Sequence, residues 1–335
     1  MAEAPYVSKR LVTVFGGSGF IGRYVVRALA RRGWRVRVAV RRPDLAGFLQ
    51  PLGDVGQIHA VQANLRYPAS IASALIGAEA AINLAGIQSQ HGRQNFEAVH
   101  SFGAREVARA AAAHGIGVLV HMSGIGADPS SPSPYVASKG RGEAAVREIF
   151  PGSVILRPSV VFGPEDDFFN RFAVLARYLP VLPLFGGGAA KMQPVYVGDV
   201  ADATAHALEG GAKPGEIYEL GGPEVMSLRE IVDFVCRTTG RRPALVGLPF
   251  GIARIMAQGT EIAGALSLGA FPKALVTTRD QVELLRHDNL VSADAVAQGR
   301  TLQGLGVAAQ GVEAITPAYL YRFRKTGQYA SAGAA

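Results

Sequence analysis

The chain has 335 residues, 49% of them hydrophobic and 18% charged, with a formal net charge of +8. That length suits one large α/β domain with additions or two modest domains, and the apolar content can bury a substantial core. The single cysteine, Cys236, excludes an intrachain disulfide, and the seven histidines lack metal-ligand spacing, so no metal is expected.

Part of the positive charge is concentrated in Arg31, Arg32, Arg35, Arg37, Arg41 and Arg42. A basic excess fits nucleic acid, an anionic membrane, an acidic partner or phosphate-bearing ligands. No nucleic-acid-binding motif accompanies it, so nucleic acid is set aside. Met1–Lys9 is too short and polar for a signal peptide, and no spanning helix is predicted.

Leu11–Gly22 reads LVTVFGGSGFIG. Leu11, Val12, Val14 and Phe15 suit a strand buried on both faces. Glycines follow at 16, 17, 19 and 22, and Arg23–Arg32 continues as a helix with Val25, Val26 and Leu29 on one side. Strand, glycine turn and helix in this order form a dinucleotide fingerprint. The glycines permit a sharp turn, close approach of backbone to pyrophosphate and tight helix packing. The pyrophosphate would sit at the positive end of the helix. Gly16, Gly17, Ser18, Gly19, Phe20, Ile21, Gly22 and Arg23 are therefore candidate cofactor residues.

Trp34–Val40 is the second predicted strand and runs into Arg41–Arg42–Pro43. An acidic residue near here would hold the ribose hydroxyls of NAD, whereas arginine suits the extra phosphate of NADP. Arg41 is the first candidate for that phosphate, with Arg23 and Arg42 as helpers.

Ile58–Gln62 is a third strand, followed by Asn64–Leu65, and Ile71–Leu75 begins a helix. Ala80–Leu84 is a fourth strand, and the small residues of Asn83–Leu84–Ala85–Gly86 let a cofactor lie against backbone. Phe96–Ala113 is predicted as a helix with Val99, Phe102, Val107 and Ala110 facing in, and Gly117–Met122 as a fifth strand. Strands alternating with helices predict an α/β fold, a doubly wound, Rossmann-like parallel sheet. After a loop at Asp128–Pro134, Tyr135 and Lys139 lie four apart on one face of a helix that runs to Phe150. The ammonium can lower the phenol's pKa and bind a ribose, which makes Tyr135 an acid–base candidate.

GGSGFIG at 16–22, Asn64–Leu65, NLAG at 83–86, YVASK at 135–139 and Ile155–Leu156–Arg157–Pro158 together resemble the short-chain dehydrogenases/reductases of the extended or atypical kind, over roughly 10–240. The resemblance implies cofactor contacts at Asn64, Leu65, Leu84, Ala85, Gly86, Ser123, Tyr135, Lys139 and Pro158. Members move a hydride and a proton with the Tyr–Lys pair and a hydroxyl just after the fifth strand. That hydroxyl usually falls one or two residues later than Ser123, where this chain has Gly124 and Ile125. Neither can orient a substrate carbonyl. Tyr135, Lys139 and Ser123 are thus read as vestigial catalytic candidates.

The run Arg157–Phe172, with RPS, FG, ED and FFN in order, is similar to the nucleotide-binding accessory subunits of respiratory complex I. So are Met192–Val200 and Thr278–Val282. This narrower resemblance implies a tightly held NADPH that is not turned over. It implies a peripheral position on the cytoplasmic or matrix-facing side of the respiratory membrane, without a transmembrane helix. Its implied partners are other complex I subunits, reached through 243–275 and the C-terminal tail, with contact to anionic lipid headgroups. A soluble NADP-dependent reductase or epimerase, or a redox-dependent sensor, remains open.

Further along, Asp199 and Asp202 are expected to cap or solvate a helix at Val200–Leu208 after a strand at Pro194–Val197. Phe185–Gly188 reads as a flexible connection and Glu216–Leu220 as a strand. Ser227–Glu230 is a capping box for the helix that holds Cys236. Pro243–Lys273 reads as a helical apolar stripe, which is either core or, since it lies beyond the sheet, a face for a partner or a membrane. The expected domains are a dinucleotide-binding domain over 1–180, its sheet completed by 190–222, a smaller C-terminal α/β lobe over 181–330, and a disordered tail over 331–335.

Overall fold

The computed structural model describes residues 10–90, 92–266, 275–325 and 327, with the side chains of 262–266 excepted. Met1–Lys9, the part of the apolar stripe over 267–273 and the tail beyond 327 lie outside the described residues.

Seven parallel strands form one sheet. They are β1 (Leu11–Phe15), β2 (Arg35–Val40), β3 (Ile58–Gln62), β4 (Ala80–Asn83), β5 (Val118–Met122), β6 (Val154–Pro158) and a last strand, Ile217–Leu220. Their spatial order is Ile217–Leu220, β6, β5, β4, β1, β2, β3. The doubly wound, Rossmann-like sheet expected from the sequence is present. The order reverses at β1, which pairs with β2 on one side and β4 on the other. Ligands bind in such sheets outside the carboxyl ends of the strands at that switch point.

The helices α1 (Phe20–Arg31), α2 (Pro68–Leu75), α3 (Gly103–Ala113) and α4 (Pro134–Ile149) cover the sheet. Phe15, Ala39, Leu119 and Ile155 share a core with Ile71 and Leu75 of α2, Val107 and Ala111 of α3 and Val146 of α4. Helix Val197–His206 packs on α1. There Asp202 does not cap its own helix; it pairs with Arg32 Nη1 at 3.0 Å. Trp34 Nε1 donates to Glu209 at 3.0 Å, and Asp199 is buried.

The stretch 97–113 is not one α-helix. Glu97–Phe102 forms a π-turn ahead of α3. The wider turn rotates the inward face, so His100 and Ser101 are buried. Val99, Phe102 and Ala110 are only partly covered, while Val107 is buried as expected.

The described residues divide into two compact units: 10–158, 197–220 and 291–308 in one, 159–196, 221–290 and 309–327 in the other. They interleave along the chain rather than dividing near 180. In the second unit, helices Phe169–Tyr178 and Leu228–Thr239 bury Phe169, Ile231 and Val235 with Phe162, Leu182, Leu184 and Tyr319. The capping box is formed: Ser227 Oγ accepts from Glu230 N, and the Glu230 side chain accepts from Ser227 N. Cys236 is buried, which pushes its thiol up to about 11. Tyr319 Oη donates to Asp166 Oδ2 at 2.8 Å, and burial raises the Asp166 carboxyl.

Two expectations about this unit change. Ala244–Leu248 is a strand, paired in parallel with Val181–Phe185, so neither Leu245–Leu248 nor Phe185 has the predicted form. The helix begins at Phe250. On it, Ala253 and Ala257 are buried with Phe185 and Val282, while Ile252 and Ile255 are exposed.

Candidate functional site

The site lies at the carboxyl ends of β1, β4 and β5 and is built first from glycines. Gly16 has φ +78, a left-handed conformation, and a Cβ there would lie 3.0 Å from the Ala85 backbone. The fingerprint turn and the loop after β4 therefore touch through bare backbone. A Cβ at Gly22 would strike the Gly16 carbonyl and lie 2.6 Å from the Gly17 Cα, so this glycine is what lets α1 sit against the turn. Gly19 differs. It is the N-cap of α1, with extended φ −74 and ψ −178, and no side chain caps the helix there. A Cβ on Gly19 would meet only the Gly16 carbonyl, at 3.3 Å. The first turn of α1, at Phe20, Ile21 and Gly22, thus presents N–H groups that have no acceptor within the helix. That open cradle fits a pyrophosphate. Ser18 lies in the turn itself, and Arg23 sits over the Phe48 ring at 5.1 Å.

The three candidate arginines are not equivalent. Arg42 is engaged by Asp44, with Nε to Oδ1 at 3.0 Å and Nη2 to Oδ2 at 2.7 Å. This pairing raises the Arg42 pKa and lowers that of Asp44. Arg41, directly after β2, is exposed and has no carboxylate partner among the described residues. Its guanidinium, unlike that of Arg42, is open to an anionic group.

Asn64 closes the turn after β3, its Oδ1 accepting from Arg66 N at 3.1 Å. Leu65 packs against Gly103, where a Cβ would come within 2.9 Å of it. At the end of β4, Leu84 N donates to the Phe15 carbonyl at 3.0 Å, and Ala85 N donates to Asn83 Oδ1 at 3.2 Å. These bonds hold Leu84, Ala85 and Gly86 beside β1.

Ser123, Tyr135 and Lys139 are brought to the same end of the sheet. Lys139 Nζ donates to the Ser123 carbonyl at 3.3 Å and lies 5.9 Å from the Tyr135 ring centroid. Ser123 Oγ is buried without a hydrogen-bond partner, an orphan hydroxyl at the end of β5. Ile125 N donates to the Pro158 carbonyl at 3.1 Å, which draws 124–125 against β6.

His100 and His121, which no motif in the sequence marks, also belong here. His100 Nε2 accepts from Ile87 N at 3.0 Å, and its Nδ1 lies 2.9 Å from Ser138 Oγ. The His100 ring also stacks on Phe96 and meets the edge of Tyr135 at 5.5 Å. Asn83 Nδ2 and His121 Nδ1 are 3.2 Å apart. Burial first, then the charge of Lys139, pushes both histidines down to about 3, so both are neutral. The π-turn that brings His100 inward has no signature in a 3.6-residue periodicity. Arg157 of β6 pairs with Glu143 at 2.6 Å and donates to the Ala127 carbonyl at 3.3 Å, which anchors the loop after β5 to β6 and α4.

Comparison with known proteins places these features in context. Residues 12–221 match the model of the NAD dependent epimerase/dehydratase family. A protein of Arabidopsis thaliana named NADH dehydrogenase (ubiquinone) 1 alpha subcomplex subunit 9, mitochondrial, is 34% identical over 325 residues, 96% of this chain and 80% of that one. A ceramide reductase of Caulobacter vibrioides is 32% identical over 299 residues, 87% of this chain and 89% of that one. Among solved structures, the NADPH-dependent quinone oxidoreductase QOR2 of Escherichia coli, complexed with NADPH, shares the fold with a TM-score of 0.70, at 19% identity, over 92% of this chain and 99% of that one.

Proposed function

We propose that this chain, which belongs to the NAD dependent epimerase/dehydratase family, is an accessory subunit of NADH:ubiquinone oxidoreductase that holds NADPH and turns over no substrate of its own. The observation that carries the reading is likeness to the Arabidopsis subunit along 96% of the chain. The missing hydroxyl at 124 and 125 supports the absence of turnover.

In this reading the turn at Gly16–Gly19 and the first turn of α1 hold the pyrophosphate, and Arg41 pairs with the 2′-phosphate. The backbone of Leu84–Gly86 lies along the dinucleotide. Tyr135 and Lys139 hold the nicotinamide ribose, with Ser123 and Pro158 behind them. NADPH when bound would supply a hydride donor; the hydroxyl that would hold a carbonyl oxygen against it is lacking at 124 and 125, and Ser123 stands one residue before them. Tyr135 can hold or give a proton; Gly124 and Ile125 offer no second group to fix the acceptor. The nucleotide is therefore structural, and it stabilises the folded subunit by mass action.

The subunit sits peripherally on the side of the respiratory membrane where NADH is oxidised. No helix among the described residues is long and apolar enough to cross a bilayer. It contacts other complex I subunits through 243–275, which includes exposed Ile252 and Ile255, and through its C-terminal tail. It also contacts anionic lipid headgroups.

A second reading, an NADP-dependent reductase, is favoured by the retained Tyr135–Lys139 pair and by the likeness to a ceramide reductase. Gentle solubilisation of membranes followed by sizing separates the two. Co-migration of the protein with NADH dehydrogenase activity supports the subunit. Migration alone, with turnover of carbonyl substrates by the purified protein, overturns it in favour of the reductase.

A further inference from the structure

We propose that the second unit carries a docking surface for the anionic phospholipid face of a membrane, built where its two main helices end. The inference deepens the membrane placement proposed above and rests on it. Helix Phe169–Tyr178 ends at Leu179, and helix Leu228–Thr239 ends at Gly240. Between these ends lies an open depression of about 460 Å³ whose lining includes Leu179, Pro180, Arg241, Arg242, Pro243 and Lys325. Among the described residues three cations line it and no carboxylate does.

The cations divide by role. Arg241 Nη2 donates to the Phe323 carbonyl at 3.3 Å and so belongs to the wall. Nearby, Arg324 Nε donates to the Thr238 carbonyl at 2.9 Å and answers the carbonyls of that helix end. Arg242 and Lys325 are exposed, and neither has a carboxylate partner among the described residues. They are positive charge that the fold itself does not use.

An apolar face begins where this basic rim stops. Strand Val181–Phe185 starts directly after Pro180, and strand Ala244–Leu248 directly after Pro243. They pair with Ala244 opposite Val181 and Val246 opposite Pro183. Successive residues of a strand face opposite ways, so Leu182, Leu184 and Leu245 turn into the core of the unit, as observed. Val181, Pro183, Ala244 and Val246 turn the other way, and Val181 and Val246 are 45% and 44% exposed.

A basic rim continuous with an exposed apolar ribbon is the chemistry of a surface that rests on headgroups and dips into the acyl boundary. A free phosphate would use the cations and leave the ribbon idle; a closed pocket would suit it better than this open one. Each lysine or arginine near an anionic leaflet strengthens binding by about fivefold.

The test uses the full-length, nucleotide-loaded protein and two kinds of vesicle: pure phosphatidylcholine, and phosphatidylcholine with phosphatidylglycerol. Cosedimentation should require phosphatidylglycerol and weaken with salt. The exposed variants Arg242→Glu and Lys325→Glu, combined, should weaken it by at least about twenty-five-fold. Val246→Asp should weaken it independently, with nucleotide content unchanged in every variant. Equal binding to both vesicles, or wild-type binding by the double charge variant, overturns the proposal. Displacement from vesicles by inorganic phosphate or glycerol phosphate, at an ionic strength where sodium chloride leaves binding intact, assigns the depression to a soluble phosphate and overturns it too. So does a double variant that binds vesicles normally yet fails to join the oxidoreductase, which assigns the cations to a protein partner. Vesicle binding as expected without any association with the oxidoreductase supports this surface and counts only against the subunit reading.

Discussion

His100 Nδ1 lies 2.9 Å from Ser138 Oγ, and this contact fixes the state of the histidine. Its Nε2 accepts from Ile87 N, so the proton sits on Nδ1 and is donated to Ser138 Oγ. Ser138 Oγ in turn donates to the Tyr135 carbonyl at 2.7 Å. One neutral imidazole thus ties the loop after β4 to the helix that carries Tyr135 and Lys139.

The first prediction follows from that neutrality. His100 and His121 stay unprotonated in the fold down to about 3, whereas an unfolded histidine takes up a proton near 6.5. Between those values the unfolded chain binds more protons, so stability rises with pH. The contribution is complete above the unfolded pKa and is lost as the pH falls through the window. Each histidine adds a slope of up to about 1.4 kcal/mol per pH unit. Denaturant unfolding at a series of pH values should show His100→Gln with a flatter profile below neutrality than the wild type. An unchanged slope would contradict the buried neutral assignment.

Gly22 and Gly19 should separate folding from binding. A methyl group at Gly22 collides with backbone, so Gly22→Ala should lower stability by about 1–3 kcal/mol. Gly19 has dihedrals open to any residue and one neighbour at 3.3 Å. Gly19→Val should therefore cost the nucleotide-free protein less stability than Gly22→Ala while blocking the approach of pyrophosphate. Titration calorimetry alongside melting curves checks both, and full affinity in Gly19→Val would remove the fingerprint assignment.

For the phosphate, the free guanidinium should matter more than the engaged one. Arg41→Asp should weaken NADPH by more than about 1.5–3 kcal/mol, the scale of a hydrogen bond to a charged group, and NADH far less. Arg42→Ala removes a side chain already held by Asp44 and should discriminate little between the two nucleotides. Mass identification of the nucleotide released on denaturation of wild type should give NADP or NADPH. NAD alone would count against Arg41 as the reader of the cofactor.

Tyr135→Phe should leave NADH:quinone activity per assembled complex nearly unchanged. Loss of a working acid–base group costs about 10²–10⁴-fold in rate. Loss of one ribose hydrogen bond costs about 0.5–1.5 kcal/mol of affinity, which a tightly held nucleotide tolerates. Activity and assembly are measured together. A hundredfold fall in activity at normal assembly would restore the enzyme reading.

The sheet and the fingerprint were legible because their signals are local. Val12 and Val14 on a strand buried on both faces, the glycines after them, and Ser227 three residues before Glu230 each announce themselves within a few positions. What was hidden depends on distance or on a broken period. Nothing near Arg32 names Asp202 as its partner, and nothing in 97–102 marks a π-turn that exchanges Val99 and Phe102 for His100 and Ser101. Leu245, Val246 and Leu248 fit a helical stripe as well as a strand; pairing with Val181–Phe185 decides between them. Arg42 reads in the sequence as a helper to Arg41, and nothing there shows that Asp44 engages it.

The interleaving of the two units sets the order in which a ribosome can finish them. The chain leaves the first unit after Pro158, returns at Val197, and only then supplies Ile217–Leu220 to the open edge of β6. Until that strand emerges, Arg157 has Glu143 but lacks Glu219, 3.7 Å away in the finished sheet. A growing chain therefore carries an unpaired edge throughout synthesis of 159–216, the kind of edge on which other chains can nucleate. Elongation past 220 closes the edge of β6, and the unit is complete only past 308, because Glu219 N donates to the Arg300 carbonyl at 3.0 Å along the edge that Ile217–Leu220 leaves.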